Sequence, residues 1–527
     1  MQSTYSNPES RSFDSFHRRK CELVEPNTFK EEHHFYPKAV HAHLSEIVKE
    51  FMTLGKLLQV TRKSAQAFTT QDTPQLVKRF CELHPNVQET NLMNVLTFKP
   101  QFFNWSGSDL FHVSDHTGSK SMVLIETNSC PSGQKAMPKM DSMRMQHDNV
   151  HRGYRTLIEN MFKPMLEQHE RMLGPHMVKD GKLAVVYDKN KMETWGYAAI
   201  IADVFRESVY LVEYKNQDDD PSVRFVGNNQ IMQIRDVNNQ WMNIRACFRY
   251  VTQKPWNRLP ISKIRTLIIN PVVCCLAGGR NKQLAAIAFS KFNMEKNVGI
   301  QINTPKTVYN VEKQMIPYWI SYFGGIGVIK NPYSNAGQGV WVITNTKELK
   351  QFMDTIDSKY EKFVVQSMIG CKAWKNTHFY HVGTVPDKDN NVFVADLRMM
   401  VHFDYTMNEF RPLALFARKA RKPLQHSMNS DNCTSWDMFG TNLTLVGEKG
   451  SWDTDQSRLI TCDEIDFPTL GLTLDNLIEA FVQSVLANVA IDKLAISICN
   501  STNSKFDKAL FEKLNQDKIL QQELFDE

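Results

Sequence analysis

The stretch from Phe323 to Val340, Phe-Gly-Gly-Ile-Gly-Val-Ile-Lys-Asn-Pro-Tyr-Ser-Asn-Ala-Gly-Gln-Gly-Val, constrains this chain more than any other. A short apolar run, Ile326 to Ile329, ends in Lys330. Small residues follow from Ser334 to Gly339, then a second apolar run from Val340 to Ile343. Two apolar runs around a glycine-containing loop make a β-hairpin pattern. Glycine lets backbone N–H groups approach an anion closely, and Lys330 puts a point charge beside them. The hairpin therefore reads as a lid over phosphate groups. No Gly-Lys-Ser/Thr follows the glycines and no helix pattern opens there, so this is not a Walker loop. A plain glycine-rich hairpin is the competing reading.

The 527 residues are enough for more than one domain. The net charge of +5 is small for that length and the charges are dispersed. No basic block interleaved with aromatics appears, so nucleic acid is not an expected partner, while anionic small molecules are. Ten cysteines are scattered without a CxxC pair, and Cys274-Cys275 lies inside an apolar run. That is not a disulfide framework. Met1 to Ser12 is polar, and no apolar run reaches membrane-spanning length. The expectation is a cytoplasmic protein that makes no use of a membrane.

Met1 to about Lys30 is polar and reads as frayed. His33, His34, His41 and His43 read as a solvated helical face, because no cysteine or carboxylate spacing completes a metal site. Apolar residues from Leu44 to Leu58 recur at helical spacing and place an N-terminal helical segment over Tyr36 to Leu83. Asp109–Val113 and Met122–Glu126 read as two strands joined by a turn at His116–Ser119. Asp148 to Leu173 reads as helical. Leu183–Tyr187, Trp195–Phe205 and Val209–Glu213 form a strand–helix–strand rhythm, the mark of a parallel α/β unit. Further strands fall at Ala246–Val251, Thr266–Pro271 and Phe363–Ile369. Val392–Val401 and Arg411–Arg418 read as neighbouring antiparallel strands. Helices fall at Gln283–Phe292, Thr346–Ile356 and Thr473–Val489, and the tail past Asn500 is charged and helical.

Four clusters carry candidate chemistry. Lys330 with Asn335, Gly337, Gln338 and Gly339 forms the first. Glu126 and Asn128 form the second. Two apart on a strand, they face the same side and offer the hard oxygens that Mg²⁺ prefers when it also holds phosphates. Asp109 on the preceding strand adds a carboxylate; a simple turn at Asn128–Gly133 is the competing reading. The third cluster is Asp396 and Arg398, again two apart, with Arg418, Lys419 and Arg421 at the end of the next strand. An arginine inside an apolar strand is a paired structural charge or faces a ligand. The fourth is Gln366-Ser-Met-Ile369. A strand leading into a polar hinge offers backbone groups to an adenine edge, with Met368 packing on the ring.

Taken in order, these motifs resemble the ATP-grasp enzymes, and within them the circularly permuted branch of eukaryotic-type glutathione synthetase and glutathionylspermidine synthetase. Glu126-Thr-Asn128 stands before the phosphate lysine, as in that branch. Ser108-Asp-Leu-Phe111 resembles the motif preceding it. Leu276-Ala-Gly-Gly-Arg-Asn-Lys282 resembles the stretch carrying the first ATP-binding lysine, a role left open here between Arg280 and Lys282. Lys330 resembles the second lysine, Gln366, Met368 and Ile369 the hinge, and Phe416-Ala-Arg418 the late strand. The resemblance spans Ser106 to Arg421. It implies an α/β ATP-grasp fold with a small Rossmann-like substrate domain and N-terminal helices. The boundaries it implies are 1–100, 101–177, 178–262, 263–500 and a helical tail over 501–527.

The resemblance also implies an ATP-dependent carboxylate–amine ligase that works through an acyl phosphate. Arg280, Lys282, Lys330, Asn335, Gly337, Gln338, Gly339, Gln366, Met368 and Ile369 would bind ATP, and Asp109, Glu126 and Asn128 would hold Mg²⁺. Arg398 and Arg418 would be catalytic. The substrates implied are a small carboxylate and an amine: an amino acid, peptide or polyamine. One departure stands out. The glutathione synthetases carry a metal-binding Glu four residues after the lysine, where this chain has Ser334. That leaves two alternatives: a nucleotide-binding regulator without ligase activity, or a tubulin-ligase-like modifier of protein tails. Asp396-Leu-Arg398 and Gly440–Thr444, including Asn442, resemble motifs of the latter.

Overall fold

The computed structural model describes residues 21–29, 72–133, 152–178, 180–188, 190–214, 221–228, 230–250, 259–261, 264–295, 299–334, 337, 339–374, 377–425, 434–446, 452–460, 462, 467–499 and 505–525. The class is mixed α/β, as expected. Among the described residues three larger sheets and a two-stranded pair, Thr444–Val446 with Trp452–Thr454, hold the strands.

The first sheet holds β1 (Cys21–Val24), β4 (Lys182–Tyr187), β5 (Val209–Glu213), β6 (Val223–Val226), β7 (Ile231–Arg235), β8 (Trp241–Tyr250) and β9 (Leu267–Ile269), in the order β1-β5-β4-β8-β7-β6 with β9 also on β8. The pairs β4–β5, β4–β8 and β8–β9 are parallel. Leu183 to Val186 are buried without alternation, as a parallel strand covered on both faces requires. Helix α1 (Lys191–Phe205) makes the crossover from β4 to β5 and is buried over most of its surface. This is the small α/β unit read from the sequence. Its edge corrects one expectation. Cys21–Val24 is not frayed but pairs antiparallel with β5. Of the expected N-terminal helix, Asp72–Leu83 is helical. The rest of it and the four histidines lie outside the described residues.

The second sheet holds β2 (Trp105–Ser114), β3 (Lys120–Asn128), β14 (Ile369–Gly370), β15 (Phe379–His381), β16 (Ala395–Asp404) and β17 (Glu409–Lys419), with the short strand Leu459–Ile460 at one end. The buried helix α3 (Leu474–Ser497) packs on β2, β3 and β16. It starts in a capping box at Thr473 and Asn476. Its Asp492 carboxylate, fully buried, accepts hydrogen bonds from the backbone N–H groups of Gln101, Phe102 and Phe103 at 2.9, 2.7 and 2.7 Å. That clamp fixes where β2 begins.

The third sheet is smaller: β10 (Thr307–Glu312), β11 (Gly327–Lys330), β12 (Val340–Ile343) and β13 (Lys362–Ser367), antiparallel in the order β10-β13-β11-β12. It has an apolar cluster of its own, built on Ile316, Ile320, Ile329, Ile343, Phe352, Phe363 and Val365. The cluster is distinct from the large core that the first two sheets share. The chain leaves this sheet at Ser367 and enters the second sheet at Ile369, so Met368 is the joint between them.

Replacing Asp492 by Ala would leave three N–H groups, two of them buried, without acceptors and is expected to lower stability by roughly 3 kcal/mol. This would be read from the urea midpoint of the full chain. An unchanged midpoint would contradict the clamp.

Candidate functional site

The site begins with a defect in the β2–β3 ladder. Asp109 pairs with Glu126, but the next pair is Leu110 with Leu124, so Ile125 is an extra residue. A bulge of this kind breaks the ladder and re-aims its neighbours. Leu124 N–H donates to the Asn303 carbonyl at 2.8 Å, and the Ile125 carbonyl receives the Lys330 ammonium at 3.4 Å. The bulge thus presents Glu126 and one carbonyl to the hairpin sheet.

Opposite stands the segment Leu276–Lys282. A β-carbon on Gly279 would lie 2.5 Å from the Ser129 side chain, so only glycine lets this backbone come so close to the loop after β3. The Gly279 carbonyl accepts from Ser129 N–H at 2.7 Å. Asn281 then caps helix α2 (Lys282–Met294), its side chain accepting from Leu284 N–H at 3.2 Å. Close packing followed at once by a helix start places Arg280 and Lys282 beside Glu126.

Glu126, Arg280, Lys282, Lys330, Gln366 and the exposed Lys306 line one cleft of about 170 Å³ between β3, α2 and the hairpin sheet. Leu124, Ala285, Ala286 and Phe289 form its apolar wall. Among the described residues the lining holds four cations and one carboxylate, an anion site by charge. Lys282 Nζ lies 3.5 Å from Glu126 Oε1 and donates to the Ser334 carbonyl at 2.5 Å. Burial pushes the Lys330 ammonium down to about 8, against the pull of Glu126 and with the help of Lys282. Burial likewise lowers Arg280, to about 10. Gln366 donates to Thr307 Oγ1 at 2.9 Å.

The cleft is smaller than the roughly 300 Å³ at which sites for drug-sized ligands begin. The chain enters the hairpin sheet through Thr304–Lys306 and leaves it through Met368, and the Pro332 carbonyl, accepting from Lys282 N–H at 3.0 Å, and the Tyr333 hydroxyl tie the loop after Lys330 to neighbouring elements.

The structure redistributes several sequence-derived assignments. Asp109 does not stand free for a metal. Arg398 grips it with Nε at 2.6 Å and Nη2 at 2.7 Å, and Arg418 Nη2 lies 3.0 Å away. Burial would raise the Asp109 carboxyl, but the two arginines overcome it and hold it at about 2. The cause is register: Arg398 sits directly opposite Asp109, and Asp396 opposite both Phe111 and Arg418. Arg418 also grips Asp396 through Nε and Nη2, and Thr441 donates to the same carboxylate at 3.0 Å. Arg398 and Arg418 thus belong to a charge-balanced ladder beside the cleft and do not line it.

Met368 and Ile369 do not line it either. Their side chains are buried in two apolar clusters, Met368 with Met438 and Phe439, and Ile369 with Val113 and Val123. Met368 therefore packs in a cluster between the helix Ser435–Phe439, the hairpin strands at Val328 and Val342, and Phe111 of the second sheet, not on a ring in the cleft. Asn128 is partly buried, its amide nitrogen 3.5 Å from the Gly107 carbonyl. Gly337 and Gly339 hold φ of +73° and +67°. At Gly337 a β-carbon would meet the Trp436 ring at 3.0 Å and Asn442 at 3.3 Å. Asn442 therefore lies against the loop. Asn335 and Gln338 lie outside the described residues. Sequence reasoning missed Lys306 and the loop Thr304–Thr307.

No protein-family model matches the sequence, and no curated protein matches it. The chain is similar to solved structures of ATP-grasp proteins. A protein assigned as a gamma-glutamylcysteine synthetase from Methylobacillus flagellatus KT aligns at 12% identity, over 82% of this chain and 99% of that one, with a TM-score of 0.38. A glutathione synthetase-like effector from Globodera pallida aligns at 10% identity, over 73% and 96%, with a TM-score of 0.34. A RimK-domain ATP-grasp protein from Sphaerobacter thermophilus aligns at 11% identity, over 45% and 90%, with a TM-score of 0.28.

With its ammonium lowered to about 8, Lys330 is partly neutral just above neutral pH. A bound polyphosphate favours the charged form, so binding takes up a proton and weakens as pH rises through about 8. Calorimetry of MgATP binding in buffers of different ionisation enthalpy should show this uptake near pH 8. Lys330→Arg should remove it. No proton uptake in the native chain would contradict the placement of Lys330.

Proposed function

We propose that this chain is an ATP-dependent ligase that joins a small carboxylate to an amine through an acyl phosphate. The observation that carries the proposal is the convergence of Lys282 and Lys330, from two separate segments, on the carboxylate Glu126, with Arg280 lining the same cleft. Two buried lysines sharing one carboxylate suit an anionic ligand of high charge density. An apolar wall at the same cleft suits a purine better than a bare phosphate.

Mg²⁺ fits this donor set in a limited way. Among the described residues no three His, Cys, Asp or Glu side chains gather to hold an ion. Asp109 is occupied by arginines, which leaves the oxygens of Glu126 and Asn128. One or two protein oxygens plus phosphates are the usual ligation of Mg²⁺ with nucleotides. When bound, the ion would offset charge on the phosphates during transfer.

The protein's own residues supply the rest. Lys330, Lys282 and Arg280 would hold the phosphates. A carboxylate oxygen of the substrate attacks the γ-phosphorus, the bond to the bridging oxygen breaks, and ADP leaves. The amine nitrogen then attacks the acyl carbon, phosphate leaves, and the amine proton is lost to solvent or phosphate. Charge neutralisation and in-line positioning matter more here than a dedicated base. Arg398 and Arg418, held by Asp109 and Asp396, would brace the strands beside the cleft. The hairpin sheet, closing over the cleft, would exclude water and protect the acyl phosphate from hydrolysis. The small α/β unit would bind the amine or peptide partner.

The test is ADP release from MgATP with pooled small carboxylates and pooled amino acids, peptides and polyamines. Release that requires both pools supports the ligase. ATP binding without release from any pool would favour a nucleotide-binding regulator, the alternative that Ser334 leaves standing. Lys330→Met keeps the stem and removes the charge. It is expected to cut kcat/KM by roughly a hundredfold or more with the fold retained by circular dichroism. Full activity in that variant would place the nucleotide elsewhere.

A further inference from the structure

The C-terminal segment has no part in the chemistry above, yet it runs behind both phosphate-gripping elements. Its two helices, Lys508–Leu514 and Lys518–Phe525, are joined by a link containing Asn515 and Asp517, both fully buried. Polar residues at complete burial near a chain end call for a specific reason.

Three contacts supply it. Tyr333, also buried, follows Lys330 by three residues and precedes Ser334, whose carbonyl holds Lys282. Its hydroxyl donates to Asn515 Oδ1 at 2.9 Å. Gln283, next to Lys282 on α2, reaches the Leu514 carbonyl at 3.5 Å and Asn310 Oδ1 at 2.7 Å. Glu523 accepts from the Tyr360 hydroxyl at 2.7 Å and pairs with Lys359. Tyr333 and Tyr360 pack edge-on, ring centroids 4.7 Å apart. The segment therefore touches the Lys282 helix, the Lys330 loop and the hairpin sheet at once. Its own shape is fixed from within. Asp517 caps the last helix, accepting from Ile519 and Leu520 N–H at 3.1 and 3.2 Å, and Gln521 donates to the Asn515 carbonyl at 2.8 Å.

We propose that this C-terminal segment is a positioning strap: through Asn515 and Tyr333 it sets the reach of the Lys330 loop toward Lys282, and so the nucleotide affinity of the cleft. Tyr333 and Asn515 are positioning residues that touch no ligand. A strap that joins two moving parts holds the loop through hairpin opening and closing, so its loss acts on binding more than on the global fold. The inference rests on the reading of the cleft as a nucleotide site.

The test is a double-mutant cycle on the full chain, with MgATP affinity measured calorimetrically and thermal stability measured alongside. Tyr333→Phe and Asn515→Leu should each weaken MgATP binding by about five- to tenfold, and the double variant no more than either alone. Lys330→Met is the control. If Lys330→Met abolishes binding while Tyr333→Phe and Asn515→Leu leave it unchanged, the strap inference fails and the nucleotide site stands. If Lys330→Met also leaves it unchanged, the nucleotide site itself fails. Should the buried variants not fold, Gln521→Ala loosens the link from its half-exposed side. It should weaken MgATP binding in the same direction with little change in melting temperature. A melting temperature that falls with affinity unchanged would overturn the proposal.

Discussion

Desolvated positive charge is the constraint on which this structure depends. Three cations, Arg280, Lys282 and Lys330, are buried around one carboxylate. Burying such groups costs several kcal/mol each unless partners or a ligand offset it. Burial lowers both the Lys330 ammonium and the Arg280 guanidinium. Much of the surrounding architecture holds the charges in place. The bulge at Ile125 offers a carbonyl, the close approach at Gly279 brings in the α2 terminus, and Lys282 ties the Ser334 backbone to Glu126.

The neighbouring Arg–Asp ladder solves the same problem differently. Arg398 and Arg418 face Asp109 and Asp396 across adjacent strands, so two positive charges meet two negative ones within one sheet face. Such pairs are balanced and geometrically rigid, and they need no ligand. The cleft is not balanced in this way. This contrast between a closed ladder and an open cation cluster separates a scaffold for positioning from a site waiting for an anion. The small sheet carries an apolar cluster of its own beside the cleft.

What the sequence disclosed follows the range of each interaction. The hairpin around Lys330, the strands bearing Glu126 and Arg398 and the parallel α/β unit are patterns of a few residues, legible as apolar runs with turn chemistry. The fate of Asp109 was not, because it depends on Arg398 lying opposite it across 289 positions of chain. Cys21–Val24 was missed because a four-residue strand in a polar stretch has no periodicity to read. The buried role of Asn515 and Asp517 was missed because a charged tail gives no hint that its link is enclosed. Met368 was read as packing on an adenine ring beyond a strand end, but the direction of its side chain is decided by packing on Met438 and Phe439.

The central claim is that the cluster at Glu126 holds the phosphates of a nucleotide. Competitive acylation of lysines, read by mass spectrometry with and without saturating MgATP, tests it most directly. The account predicts that MgATP shields Lys282, Lys306 and Lys330 while the exposed Lys359 and Lys508 react as before. Equal labelling of Lys282 and Lys330 with and without the nucleotide would contradict it.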